Sequence, residues 1–477
     1  MLPVELYAEI AQSLPAHHLK KLLSVSRLLH DVALRLLFST VKIYFMHGEH
    51  GYYMLNTENE RYVVETSEFC SNRSWEMLLH IITTPAFARV IKTFSVHAFT
   101  DGPQIFEYRT LALALSAMPN LRNLNYYGEN PSILHVAFSI PPSVRYLRLQ
   151  SLPDADLISH LSQLNALQVA IPFFYVREQK VDAIFAEWPG AASDPRDVMA
   201  VVESNPIQEL VILSAHLPLL SVRLCNNLTR LDICVTDWEL VGAELLFRHA
   251  SQLEGLSIVG HVDPSFFASL PADPGVLPRL TTFRISGELW DDEVIGLTVV
   301  PYLRHFLERR VRLERLYIRL PGLALQFALA IVDVIAKLPN IRALGLHLGY
   351  EYLHDSAAVH LAEQLSPRIE ALHLAIPWLS ESHVRVWYPI LNRLQQFENL
   401  SFLSLFSSGE DPVPIHPADL LTDLPRLRLI GLQRSLFSVD QEDMEEPEPK
   451  LWTPWAVKYC IREDFESDDH WWLFRYH

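Results

Sequence analysis

The chain has 477 residues, 49% of them apolar and 10% aromatic, with 39 Lys and Arg against 56 Asp and Glu for a formal charge of −17. Such a composition supports a large packed core and excludes general disorder, while the acidic balance argues against nucleic acid or an anionic membrane as partner. Cys70, Cys225, Cys234 and Cys460 form no CxxC pair and are no disulfide framework.

The opening, Met1 to Phe38, is dense in apolar residues but broken by Glu5, Glu9, Gln12, His17, His18, Lys20 and Lys21. Those interruptions fit neither a secretory leader nor a membrane span, so a reducing cytoplasmic or nuclear setting is expected. Leu6, Ile10 and Leu14 form one helical stripe, Leu19, Leu22 and Leu23 a second, and Leu28, Val32 and Leu36 a third. Pro3 suits a first helical turn and Pro15 a stop. Three helices in about 40 residues cannot bury all their apolar faces among themselves. The remainder must dock on the rest of the chain or on another protein. Residues 46–88 read as a connecting excursion with a helix around Ser74 to Ile82.

From Ile91 onward a short unit recurs: apolar, two variable, apolar, variable, apolar. It runs IKTFSV (Ile91), LRNLNY (Leu121), VRYLRL (Val144), LNALQV (Leu164), IQELVI (Ile207), LTRLDI (Leu228), LEGLSI (Leu253), LTTFRI (Leu280), LERLYI (Leu313), IRALGL (Ile341), IEALHL (Ile369), LSFLSL (Leu400) and LRLIGL (Leu427). Successive starts lie 20 to 33 residues apart, apart from the 43-residue step after Leu164. The unit resembles the strand segment of leucine-rich repeats, although the Asn or Cys ladder that follows strict repeats is missing. Between units the pattern turns helical, often behind an Asp or Ser cap, as in DWELVGAELLFRHA from Asp237, DPSFFASL from Asp263, DDEVIGL from Asp291 and ESHVRVWYPILNRLQQF from Glu381. The implied fold is α/β: a leucine-rich-repeat solenoid over 89–436, with a parallel sheet on its concave face and helices outside. A doubly wound α/β enzyme is the competing architecture, but its sheets rarely exceed about ten strands.

Catalytic and cofactor signatures are absent: no GxGxxG, P-loop, GxSxG or HExxH occurs. His47 and His50 have no further ligands at metal spacing, and the apolar run Gly322 to Leu338 carries Gln326, Asp333 and Lys337, as a buried helix would. Neither enzyme activity, cofactor nor metal is expected. Residues 437–477 hold the acidic stretch Asp440 to Glu448 and four tryptophans. Trp452, Trp455, Trp471 and Trp472 are expected to cover the end of the last repeat as a cap, or else to read a partner.

With a repeat array behind it, the opening segment, 1–45, resembles an F-box. The family pattern begins Leu-Pro, continues with apolar residues at helical spacing, passes through Val, a small residue and Arg, and ends near Leu-Phe. Here those elements are Leu2-Pro3, Leu6, Ile10, Leu14, Leu19, Leu22, Val25-Ser26-Arg27 and Leu37-Phe38, followed by VKIYF. Where family members often carry Trp after Val-x-Arg, this chain has Leu28 and Leu29. The resemblance implies that Leu2, Pro3, Leu6, Ile10, Leu14, Leu19, Leu22 and Val25 contact a Skp-family adaptor, linking the chain to a cullin-based ubiquitin ligase, with the repeats selecting the substrate. The alternative is a scaffold whose N-terminal helices only cap the solenoid.

The third, fifth and seventh residues of each unit should face the concave side. Only Glu209 and Asp232 are acidic there, against Arg148, Arg230, Arg284, Arg315 and Arg319. Arg and Tyr dominate interface hot spots, so Tyr127, Arg148, Arg284, Tyr317, Arg319, His347 and His373 are the candidate substrate contacts. An acidic or phosphorylated segment fits them, although so few positions also allow no preference at all.

Overall fold

The computed structural model describes residues 4–12, 14, 16–47, 60–100, 105–128, 136–149, 152, 155–169, 195–235, 240–260, 262–287, 292–377, 383–408, 411–439 and 448–475. They fall into two compact units that divide between Gln208 and Glu209. Leu2, Pro3, His50, Asp154, Asp237, Asp291 and residues 440–447 lie outside the described residues.

The first unit opens with α1 (Val4–Gln12), α2 (Ala16–Leu22) and α3 (Arg27–Leu37). The Ser26 hydroxyl accepts from the Leu29 amide at 3.3 Å and so caps α3. Ala11, Leu19 and Val32 form a small core, with Tyr7, Leu14, Leu22, Leu36 and Leu37 packed around it. Strand β1 (Thr40–His47) follows, then α4 (Glu60–Thr83), α5 (Pro85–Ala88) and β2 (Thr93–Thr100). β1 pairs parallel with β2, Thr40 opposite Thr93. Phe38, Val41 and Ile43 therefore stand where Ile91, Phe94 and Val96 stand, and FSTVKI is one more repeat unit. It was hidden in the sequence because its Phe doubles as the end of the F-box-like pattern. Residues 60–88, expected as part of an excursion, are the crossover of this extra repeat.

β1 is an edge, and edges need protection. The Ser74 hydroxyl of α4 accepts from the Tyr44 amide at 2.7 Å and donates to the Cys70 carbonyl at 2.7 Å. The unit continues through α6 (Ile105–Ala117), β3 (Asn123–Gly128), β4 (Tyr146–Leu149), β5 (Ala166–Gln168) and α7 (Pro195–Glu203), with β1 to β5 parallel in chain order.

The second unit repeats the scheme. Its strands are β6 (Glu209–Leu213), β7 (Arg230–Val235), β8 (Gly255–Gly260), β9 (Thr282–Gly287), β10 (Arg315–Arg319), β11 (Ala343–His347), β12 (Ala371–Ile376), β13 (Phe402–Ser407) and β14 (Leu429–Leu432). All pair parallel in chain order. The crossovers are α8 (Val222–Asn227), α9 (Ala243–His249), α10 (Pro264–Ser269), α11 (Asp292–Leu307), α12 (Leu325–Ile335), α13 (Asp355–Gln364), α14 (His383–Leu394) and α15 (Pro417–Asp423). An antiparallel hairpin of β15 (Ser435–Val439) and β16 (Pro449–Leu451) closes the array. Short α16 (Pro454–Lys458) and α17 (Asp468–Phe474) end it. Each unit is thus an α/β leucine-rich-repeat solenoid, and all thirteen sequence units coincide with strands β2 to β14.

The repeat is held by the spacing that reveals it. The first, fourth and sixth residues of every unit point at the helices and are buried, with Phe38 and Leu432 half-buried. Burying one such Leu, Ile or Phe contributes about 1.5–3 kcal/mol. A second device takes over from the missing Asn ladder. In several repeats the residue just before the unit donates its side chain to a loop carbonyl of the preceding repeat. Asn120 reaches Arg89 and Asn340 reaches Val311, each at 2.8 Å, and Arg368 reaches Pro339 at 2.8 Å. Arg426 makes the same bond to Glu398. Arg310 does the equivalent inside one loop, donating to the carbonyls of Pro271, Asp273 and Val276.

The run Gly322 to Leu338 contains α12, and no helix among the described residues is long and apolar enough to cross a membrane.

Candidate functional site

Two surfaces stand out. On α1 and on the turn between α2 and α3, Leu6, Ile10 and Val25 are 41%, 54% and 63% exposed. The helices use a different set of residues for their own core, so these three remain at the surface. Leu14 and Leu22 are half-buried against that core, and Leu19 lies inside it. Leu19 therefore cannot be the adaptor contact expected of it: its side chain fills the gap between α2 and the other two helices.

The second surface is the face of the β7–β13 sheet turned away from the crossovers, and it is not bare. The C-terminal helix α17 lies on it, against β11 and β12. Ser467 caps α17 by accepting from the Asp469 amide at 3.1 Å. Asp469, almost fully buried, bonds to both Arg315 and Arg342. Such charge-assisted contacts exceed neutral hydrogen bonds in strength. The His470 imidazole meets the Ser401 hydroxyl at 2.9 Å. Trp472 sets its ring 4.8 Å from the Arg284 guanidinium, and its carbonyl accepts a hydrogen bond from that group. Arg284 also lies 4.1 Å from the ring of Tyr317. Desolvated contacts of this kind contribute about 2 kcal/mol. Past α17, Arg475 pairs with Asp232 at 3.0 Å and donates to Ser257 at 3.2 Å. Tyr317, Ala343, Ala371 and Phe402 from the face, with Leu429 of β14, join Trp472 and Leu473 in one apolar cluster.

The tryptophans therefore divide. Trp452 stays by the closing hairpin, its amide donating to the Leu436 carbonyl at 2.8 Å. Trp471 and Trp472 turn back with α17 instead of capping the last repeat. The expectation fails for them because hairpin β15–β16 already covers β14, and the face offers Trp472 a cation and an apolar floor.

The expected substrate contacts separate between the two units. Tyr127 of β3 is half-buried and stacks at 5.0 Å on His97, which stacks at 5.0 Å on Tyr44. Burial, then the charge of Lys42, holds His97 well below the ordinary imidazole range. Arg148 is half-buried on β4. Arg284, Tyr317, Arg319, His347 and His373 share the second unit's face. Tyr317 stacks 5.9 Å from His373, and His373 meets the Ser404 hydroxyl at 2.9 Å. Burial pushes His373 down to about 3, and His347, Arg284 and Arg319 push the same way. His347 falls to about 3, through burial and then Arg319. Tyr317 is raised and Arg319 lowered, each chiefly by burial. These groups stay uncharged or weakly hydrated, as suits recognition in a dry contact. Arg342 and Asp469 escaped the sequence reading: Arg342 occupies the second position of its unit, outside the third, fifth and seventh positions assigned to the face, and no local pattern marks Asp469 as a partner of residues more than 120 positions earlier. The one hint was the rarity of acids on the face.

Among the described residues no group of three or more His, Cys, Asp or Glu could hold a metal ion. All four cysteines are buried thiols outside any disulfide, with Cys70 raised to about 11 by burial.

No protein-family model matches the chain, and no curated protein matches it either. Among solved structures, the chain is similar to that of a TLR13-ssRNA13 complex at 13% identity and a TM-score of 0.26, over 73% of this chain and 41% of that one. It is also similar to an internalin (inlF) from Listeria monocytogenes at 13% identity and a TM-score of 0.26, over 66% of this chain and 81% of that one. The chain thus spans about two-fifths of the length of the first of these structures. At such scores the likenesses add nothing to what strand order and register establish.

Proposed function

We propose that the chain is a substrate-recognition subunit of a Skp–cullin–F-box type ubiquitin ligase. Helices α1 to α3 dock on a Skp-family adaptor, and the repeat face selects a protein substrate. The observation that carries the reading is the position of Leu6, Ile10 and Val25. They belong to the F-box-like pattern, yet they lie at the surface of a helical segment whose own core is Ala11, Leu19 and Val32. Helices serving only to cap the array would turn those side chains inward.

Capture of the full chain by a Skp-family adaptor tests this, beside a Leu6→Asp, Ile10→Asp double variant checked for folding by circular dichroism. Capture by the wild type and at least a tenfold loss in the folded variant are expected. A wild type that is not captured overturns the ligase reading and leaves a repeat scaffold with an N-terminal cap.

A further inference from the structure

We propose that the face of β7–β13 is a groove for acidic–aromatic peptide segments, and that the chain's own C-terminal segment is its resident, displaceable occupant. The inference deepens the substrate-receptor reading and rests on it. The partner it calls for is a segment of another protein with a carboxylate three residues ahead of a tryptophan or similarly large aromatic side chain. That is the spacing of Asp469 and Trp472.

Three observations carry it. First, the occupant is held as a ligand is held. Its fixing points are one carboxylate between Arg315 and Arg342, one indole on Arg284, and one guanidinium on Asp232 and Ser257. Second, the floor under it mixes buried polar groups with the apolar cluster of Tyr317, Ala343, Ala371 and Phe402. Arg284 is 0% exposed, and Asp232, Ser257, His373 and Ser404 are also buried. A face that was permanently core would be at least as stable with apolar residues of the same volume, because buried polar groups must each recover their lost hydration. Polar residues there suit a face that also meets water or another chain. Third, α17 has only 7 residues. A helix this short is not stable alone, so its order comes from the groove and is lost on leaving it. Release therefore gains chain entropy, which offsets part of the contacts broken.

The test uses the full chain and a fluorescein-labelled synthetic peptide copying Arg462 to His477. The resident segment, at a local concentration in the millimolar range, competes with any added peptide. The wild type should therefore bind the peptide weakly. An Asp469→Ala chain, whose groove is untouched and whose resident is weakened, should bind it at least tenfold more tightly by fluorescence anisotropy. A peptide carrying the same Asp469→Ala change should bind that chain at least tenfold less tightly. Equal affinity of the two chains for the unaltered peptide overturns the proposal. So does failure of the Asp469→Ala chain to fold, since a displaceable occupant cannot be required for folding. Hydrogen exchange on the wild type is an independent check: amides 468–475 should open while β9 to β12 stay protected, and exchange only together with those strands overturns the proposal. Neither arm touches the N-terminal helices, so its failure is distinguishable from loss of adaptor capture.

Discussion

Acid should weaken the seat of α17 through two histidines. His373 lies beneath the segment and His470 on it, 4% and 3% exposed. Burial is the first cause of both shifts, holding His373 at about 3 and His470 at about 4 against an ordinary value of 6.5. A folded-state pKa below the unfolded one means that the unfolded chain takes up the proton first. The contribution to stability is thus complete above about pH 6.5 and is lost as the pH falls toward 3 or 4. At pH 5 the unfolded rings are charged and the folded ones are not. The gap from 6.5 is 1.5 pH units, which at 1.36 kcal/mol per unit is about 2 kcal/mol for each ring and about 4 kcal/mol for the pair. Urea unfolding followed by tryptophan fluorescence at pH 7.5 and pH 5.0 measures it. The wild type should lose about 4 kcal/mol more between the two pH values than a His373→Gln, His470→Gln variant, which keeps every other titrating group. Equal losses in the two proteins would refute the assignment of buried, neutral rings.

Three further outcomes follow from contacts described above or from close approach. A Cβ at Gly345 would sit 2.0 Å from Cδ2 of the buried Tyr317 ring, so Gly345→Val should destabilise by at least about 2 kcal/mol in denaturant titration through overpacking. Ser74→Ala leaves the Tyr44 amide without its hydroxyl acceptor at the β1 edge and should cost about 1–3 kcal/mol, read as faster hydrogen exchange in β1. Asn340→Ala breaks the bond to the Val311 carbonyl and should cost about 1 kcal/mol by thermal unfolding, whereas Asn340→Arg should restore most of it, because Arg368 and Arg426 make the same bond elsewhere.

The strands were legible because an array of this kind writes its core into a fixed spacing. Residues such as Leu316 and Ile318 must be apolar wherever a strand faces the helices, and the pattern survived even at Leu164, ahead of the 43-residue step. It missed Phe38 only because two patterns overlap there. Leu19 was misassigned because helical spacing identifies an apolar stripe but not which member of it turns inward. The face was half legible: parity along the strand put Arg284, Tyr317 and His373 on it. What covers them was not readable, because the pairing of Asp469 with Arg315 joins residues 154 positions apart, and no periodicity links a strand to a terminal helix.

The position of α17 in the chain also sets an order of events. Residues of α17 are synthesised after every strand they cover. At about 5–20 residues per second, the time between completing β14 and making Arg475 is of the order of seconds. For that time Tyr317, Phe402 and Leu429 form an apolar strip on a nascent chain, open to chaperones and to neighbouring chains on the same message. A premature stop ahead of Ser467 would make that interval permanent, giving a product with all its repeats and an adhesive face.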